Sequence, residues 1–390
     1  MRRPFLAVIS TRAGQLTLVL WIAATLAASV RPVLRHEHNF DIFRTASTHL
    51  AAAQDMYAES RPGMDRFKYT PGFAFLFAPF AILPFALGVL VWNALNAATL
   101  YWAIGRLLPS PRATLARGIV LVEMFGSLQN AQSNALIAGL IVLTFTELER
   151  GHDAGAAAAL SLGTFVKLFP IAAVTFALLR ATRIRFVVWC LVAGLIILVA
   201  PLVVVRPAWL LQQYGAWLAV VRHDSGDPGF SVMQHMRLWF GVSWAAWPQQ
   251  LAGTLILLAP LVVRGGASVQ REWKLRFLAS LLLFCVLFNH QSESPSFVIA
   301  LTGVAVWFSV DDPSSWRWLV LGFVFLCTVL VNSSAMPPAA RSYLFAVRAK
   351  TVPVLIVWLI LQVELWRRGG RPRQRSSSPG ERTTLDAAVA

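Results

Sequence analysis

Long apolar runs broken by short polar links set the pattern of this chain. The runs are continuous and rich in Leu, Ala and Val. Lipid forces backbone groups to pair within one segment, which predicts helices; a membrane barrel would alternate in short strands instead. The pattern predicts an all-α polytopic membrane protein with about 12 transmembrane helices, roughly 11–13. The first run, GQLTLVLWIAATLAASV, follows Arg2, Arg3 and Arg12 and reads as a retained membrane helix, positive side in. Next comes FDIFRTASTHLAAAQDMYA, with Phe40, Phe43, Ala46, Leu50 and Ala53 at helical spacing and charge opposite. That spacing predicts an amphipathic helix lying on the outer membrane surface.

Arg61-Pro62-Gly63 is a turn signal, and Thr70-Pro71 opens the next helix with Pro in its first turn. Pro79 and Pro84 divide this apolar run into a short helix and a longer one. Basic links are expected at 106–117, 180–185 and 264–276. The polar cluster QNAQSN separates two further runs, and Lys167 and Pro170 interrupt the Ala-rich run 156–179. Residues 206–250, rich in aromatics, read as an outer loop with an interfacial helix. Counting every run puts 106–117 on the outer side against the charge rule, so a re-entrant or broken segment is expected between 71 and 180. Residues 1–366 form one membrane domain without internal repeat. Residues 367–390, rich in Ser, Arg, Gly and Pro, read as a disordered cytoplasmic tail.

Composition agrees. Charged residues make up 13% of the 390, about half the roughly 25% usual in soluble proteins. The net charge of +16 sits in short links and the tail. It therefore reports topology, and a nucleic-acid partner is excluded. Cys190, Cys285 and Cys327 lie in apolar runs without a CxxC, so they read as inert core residues with no disulfide or zinc framework.

Candidate chemistry concentrates between His36 and Pro84. Asp41 is either a cap or solvated charge, or a general base taking a proton from a sugar hydroxyl that attacks an anomeric carbon. Lys167 costs about 2.5–3.5 kcal/mol in lipid, so it faces a cavity or partner, or else snorkels to an interface. Gln132 and Asn134 either end a helix or contact a sugar or phosphate. In the polar break NHQSESP, His290 and Glu293 are either loop residues or partners of Asp41 on the same face. His36, His38 and His49 match no standard metal spacing. Tyr69, Tyr214, Trp217, Trp239 and Trp244 read as interface aromatics, or as platforms for sugar rings.

Three ordered pieces carry a resemblance. D-x-x-x-x-A-x-x-x-L-x-x-x-x-x-x-Y runs from Asp41 to Tyr57. K-Y-x-P-x-x-A-x-L-F-x-P-x-A-x-L-P runs from Lys68 to Pro84. W-x-x-L-N covers Trp92, Leu95 and Asn96. With Ala131-Gln132-Ser133-Asn134 and Lys167-Leu168-Phe169-Pro170, they resemble glycosyltransferase family 87, membrane enzymes of the GT-C class. The resemblance covers residues 38–180 well and the remainder by hydropathy alone. It implies a GT-C-like fold in the bacterial inner (plasma) membrane, active site on the outer face and both termini cytoplasmic. It implies inverting transfer of a sugar, mannose foremost, from a polyprenyl-phosphate donor to a glycan or glycolipid acceptor, with no cofactor and no metal. Asp41 takes the catalytic position. Arg44, Tyr69, Gln132, Asn134, Lys167, His290 and Glu293 would bind donor phosphate or sugar. The chain departs from the family at Arg44, where Tyr is commoner, at Gln54-Asp55 and at Ala131, both Gly positions. These departures bear on the acceptor. The rival reading is a transporter or flippase of a lipid-linked or anionic substrate, which an intramembrane Lys167 and proline-broken helices would suit. Against it stand the lack of an inverted repeat and polar residues gathered at one face.

Overall fold

Proline, glycine and polar breaks cut the apolar runs into helices close to where the pattern places them. The computed structural model describes residues 3–35, 39–58, 65–180, 183–223, 229–264, 270–329 and 336–367. His36, His38, the Arg61-Pro62-Gly63 turn and the tail beyond 367 lie outside the described residues. Within them all regular structure is helical: α1 (Arg3–Arg35), α2 (Asn39–Ala51), α3 (Pro71–Leu76), α4 (Ala78–Ala81), α5 (Phe85–Leu107) and α6 (Ser110–Leu128). There follow α7 (Asn134–Glu149), α8 (Asp153–Val166), a 3-10 segment Phe169–Leu179, α9 (Arg183–Val199) continued as a 3-10 turn, and α10 (Pro207–His223). The chain ends with α11 (Val232–Phe240), α12 (Ala246–Arg264), α13 (Arg271–Leu287), α14 (Phe297–Val310), α15 (Ser315–Val329), α16 (Pro338–Ala346) and α17 (Thr351–Arg367).

Arg12–Arg35, Phe85–Leu107 and Arg183–Val203 are long and apolar enough to cross a membrane. α16 and α17, bent by 46° at their break, make a fourth if they act as one span. α8, Phe169–Leu179, α15 and stretches around α12 and α14 are apolar but shorter. Helices of full crossing length among the described residues thus do not reach the expected count of about twelve. α14 is buried along its whole length, packed on α13, α6 and α7. α9 and α12 leave Leu191, Leu195, Leu255 and Val262 exposed. A helix apolar all round belongs either in a core or in lipid, and both kinds occur here.

α2 forms where its spacing predicts, but its apolar stripe faces protein. Phe43 meets the Phe73 and Phe77 rings edge-on at 5.0 and 5.3 Å, and Phe40 meets Phe77 at 5.2 Å. Such pairs each add about 0.5–1.5 kcal/mol beyond area burial. α2 is therefore clamped on α3 and α4 by its apolar face. Ala53, expected in the stripe, lies past the helix end at φ 52° and is exposed.

Two basic links differ from the expected solvated loops. Arg117 lies within α6, its guanidinium 3.5 Å from the centre of the Tyr101 ring and donating to the Tyr101 carbonyl at 2.9 Å. Arg276 lies within α13, buried against Asp311 and, at 3.0 Å, Glu364. Arg317 of α15 joins the same two carboxylates at 3.1 and 2.6 Å. The charge rule treats such arginines as solvated. Here carboxylates brought in by the fold let them be buried, since a buried charge must be paired.

Candidate functional site

Three breaks in the helices supply the polar residues of the site. The first lies between α6 and α7. Ala131 takes a left-handed φ of 46°, and its carbonyl accepts from Trp92 Nε1 at 3.0 Å. Asn96 Oδ1 accepts from the Leu136 N–H at 2.9 Å, satisfying a donor that the start of α7 leaves open. The W-x-x-L-N pattern on α5 thus secures the break carrying Gln132 and Asn134. Asn39 donates to the Asn130 carbonyl at 3.0 Å, which brings the first turn of α2, with Asp41, against the same break.

The second break is at Lys167. Pro170 has no N–H and its ring opposes the carbonyl four residues back, so α8 cannot continue. Lys167 turns extended, φ −143° and ψ 139°. One break in the stretch 71–180 thus falls where Lys167 and Pro170 interrupt the Ala-rich run. Thr70 caps α3 by accepting from the Phe73 N–H at 3.1 Å and donates to the Phe165 carbonyl at 2.7 Å, tying the K-Y-T-P stretch to the end of α8. Gly72 lets α3 lie close to α9 as well: a Cβ there would stand 2.9 Å from the Ile197 carbonyl oxygen. The third break, between α13 and α14, carries His290 and Glu293.

The breaks converge. Lys167 Nζ donates to Asn134 Oδ1 at 2.8 Å and to Gln132 Oε1 at 3.3 Å. Gln132 Nε2 donates to Glu293 Oε2 at 2.8 Å. An amide has one acceptor end and one donor end, so Glu293 on one side and Lys167 on the other fix the orientation of Gln132. Gln132 and Asn134 are buried, while Lys167 is half-buried. Among the described residues no carboxylate lies within ion-pairing distance of Lys167.

Lys167 opens onto a cavity of about 530 Å³. Its polar wall includes Lys68, Tyr69, Gln250, His290 and Glu293, and its apolar wall Leu168, Ile171, Trp217, Phe284 and Phe288. Burial, and then the charges of Glu293 and Asp65, push the Tyr69 phenol well above its ordinary range. It stays protonated and can donate a hydrogen bond at any working pH. His290 Nδ1 lies 3.3 Å from Gln250 Nε2.

Of the residues singled out from the sequence, Tyr69, Lys167, His290 and Glu293 line this cavity, and Gln132 and Asn134 hold Lys167 from behind. Asp41 and Arg44 do not line it. Arg44 instead stacks over the Phe85 ring, 5.9 Å from its centre. Trp217 lines the cavity and donates to the Lys68 carbonyl at 3.3 Å, whereas Trp239 and Trp244 are exposed. Sequence reasoning missed Lys68 and Gln250 as wall residues, and Cys285, read as inert, also faces the cavity. It also missed Glu123, whose signal was a lone acid inside an apolar run. Among the described residues no three His, Cys, Asp or Glu side chains cluster as metal ligands.

The sequence model of glycosyltransferase family 87 matches residues 67–334, more than half of the chain. Asp41 and Arg44 precede the matched span; Tyr69, Gln132, Asn134, Lys167, His290 and Glu293 lie within it. Among curated proteins none matches the chain.

Proposed function

Because the chain belongs to glycosyltransferase family 87, we propose that it moves a sugar, mannose foremost, from a polyprenyl phosphate to a glycan or glycolipid acceptor. The observation that carries this reading is Lys167. Its ammonium is held by two neutral oxygens at the wall of a cavity that is polar on one side and apolar on the other. A charge so held suits an anionic group, and the apolar wall suits the first units of a lipid chain.

In this reading the acceptor O–H bond breaks and its proton passes to Asp41. The freed oxygen bonds to the anomeric carbon. The bond from that carbon to the phosphate oxygen breaks, and the electron pair leaves on the phosphate, where Lys167 meets the developing charge. Displacement of this kind inverts the anomeric centre. His290 is the second phosphate partner in preference to Arg44, since it lines the cavity and Arg44 does not. The enzyme would be a GT-C-class protein of the bacterial inner membrane, with about twelve crossings including short and broken ones, both termini cytoplasmic and this cavity on the outer side.

The test is transfer in detergent or nanodiscs, without vesicles, from radiolabelled polyprenyl-phosphate mannose to candidate glycan and glycolipid acceptors. A new glycosidic bond made by the wild-type protein and lost in Lys167→Met supports the reading. Movement of the donor across vesicles with no new bond would favour the flippase instead.

A further inference from the structure

Lys350 is fully buried in the turn between α16 and α17. Its Nζ lies 2.9 and 3.0 Å from the two carboxylate oxygens of Glu123, itself buried in α6. The same ammonium donates to Ser294 Oγ at 3.1 Å, reaches the Ser294 carbonyl at 3.5 Å, and stands 5.1 Å from the centre of the Phe297 ring. Buried charges persist only when paired and hydrogen-bonded, so this pair pins Ser294 to α6. Ser294 directly follows Glu293 and opens the 3-10 turn Ser294–Ser296, where the Glu293 N–H donates to Ser296 Oγ at 3.3 Å. The next residue along adds a second tie. Thr351 Oγ1 donates to the Phe230 carbonyl at 2.9 Å, and the Phe230 N–H donates to the Ser292 carbonyl at 2.8 Å. The loop carrying Glu293 is thus held from both sides by residues 350 and 351, neither of which lines the cavity.

We propose that Lys350, together with Glu123, is a positioning residue for the Lys167 site. It sets the Ser294 turn so that Glu293 orients the Gln132 amide, and Gln132 in turn presents Lys167 to a phosphate. The path runs through three hydrogen bonds, in which Lys350 donates to Ser294, Gln132 donates to Glu293, and Lys167 donates to Gln132. The inference rests on the reading of Lys167 as the phosphate-binding group.

Removing Lys350 alone would strand the buried Glu123 carboxylate. The test therefore uses Glu123→Gln combined with Lys350→Met, which removes both charges together. It also uses Ser294→Ala, which removes the hydrogen bond from Lys350 to Ser294 Oγ and leaves the ion pair, and Lys350→Arg as the change that keeps the charge. One measurement is binding of polyprenyl phosphate to the purified protein in nanodiscs. The other is the pH profile of Lys167 reductive methylation, read by mass spectrometry, which needs no substrate. The paired variant and Ser294→Ala should each weaken binding about three- to tenfold, the scale of one hydrogen bond, and displace the Lys167 profile. Lys350→Arg, which keeps the charge but not its point geometry, should lose less than the paired variant in both. Ser294→Ala should add little to the loss caused by Glu293→Gln, because coupled residues are not additive. A merely structural role would lower thermal stability with the Lys167 profile unmoved, and that result overturns the proposal. If wild-type protein binds no polyprenyl phosphate, the phosphate reading falls, and the methylation profile still decides whether Lys350 positions Lys167.

Discussion

Gln132 and Glu293 stand 161 residues apart in the chain and share a 2.8 Å hydrogen bond, amide nitrogen to carboxylate oxygen. That bond joins the break before α7 to the break before α14 and leaves the Gln132 carbonyl facing Lys167. The bond fixes which way the amide points, because its reversal would set a carbonyl against a carboxylate and an NH₂ against an ammonium. Gln132→Glu should therefore be worse than Gln132→Met: it places a second carboxylate against Glu293. Comparing polyprenyl-phosphate binding in the two variants checks this order.

Lys167→Met should lower transfer by about 10- to 150-fold, the range for losing hydrogen bonds to a charged group. Lys167→Arg should recover only part, since a planar fork does not replace a point charge between two amide oxygens. Steady-state transfer rates in nanodiscs measure both. Equal rates in all three proteins would remove Lys167 from the mechanism.

Asp41→Asn should cost about 10²- to 10⁴-fold in transfer, the usual worth of a positioned general base. Polyprenyl-phosphate binding should be retained, because Asp41 does not line the Lys167 cavity. Wild-type transfer by Asp41→Asn would show that another group takes the acceptor proton, and Glu293 at the cavity wall would be the first candidate.

Ala131 takes a left-handed backbone, which costs a residue with a Cβ about 1–2 kcal/mol. Glycine avoids that cost and loses about 0.5–1 kcal/mol in chain entropy. Ala131 is also fully buried, and losing its methyl costs about 0.8 kcal/mol, so Ala131→Gly should leave stability within about 1 kcal/mol of wild type, whereas Ala131→Val should lower it by more. Thermal unfolding in detergent checks this order.

Burial raises the phenols of Tyr57 and Tyr69 above the ordinary value of 10.0. Above that value the folded protein keeps protons that the unfolded chain releases. The stabilisation is complete below about pH 10 and is lost as pH rises toward the folded-state values. Tyr69→Phe should make the alkaline loss of stability shallower. Unfolding temperatures measured across about pH 9–11 give the slope.

Much of this arrangement was legible in the chain. Thr70-Pro71 marked the start of α3, and Pro170 with Lys167 marked the end of α8. The polar clusters at 129–134 and 289–295 marked the other two breaks. The period of Phe40, Phe43, Ala46 and Leu50 gave α2. These are local effects: missing N–H groups, capping hydroxyls and one-sided burial act within a few residues. Asp41, Lys167 and Glu293 stood out because ionisable groups are rare in so apolar a chain.

What covers the apolar face of α2 was decided by tertiary packing, since lipid and the rings of Phe73 and Phe77 are equally apolar solvents for it. Arg276 and Lys350 find carboxylates 35 to 227 residues away, and Arg317 meets Glu364 47 residues on as well as nearby Asp311, so the fold and not the local sequence decides that these charges are buried. The same holds for the bond between Gln132 and Glu293. Sequence supplied Gln132, Lys167 and Glu293 as three separate polar interruptions. Only the packing of α7 against α8 and α14 sets them within hydrogen-bonding distance, because no short-range pattern encodes which break meets which.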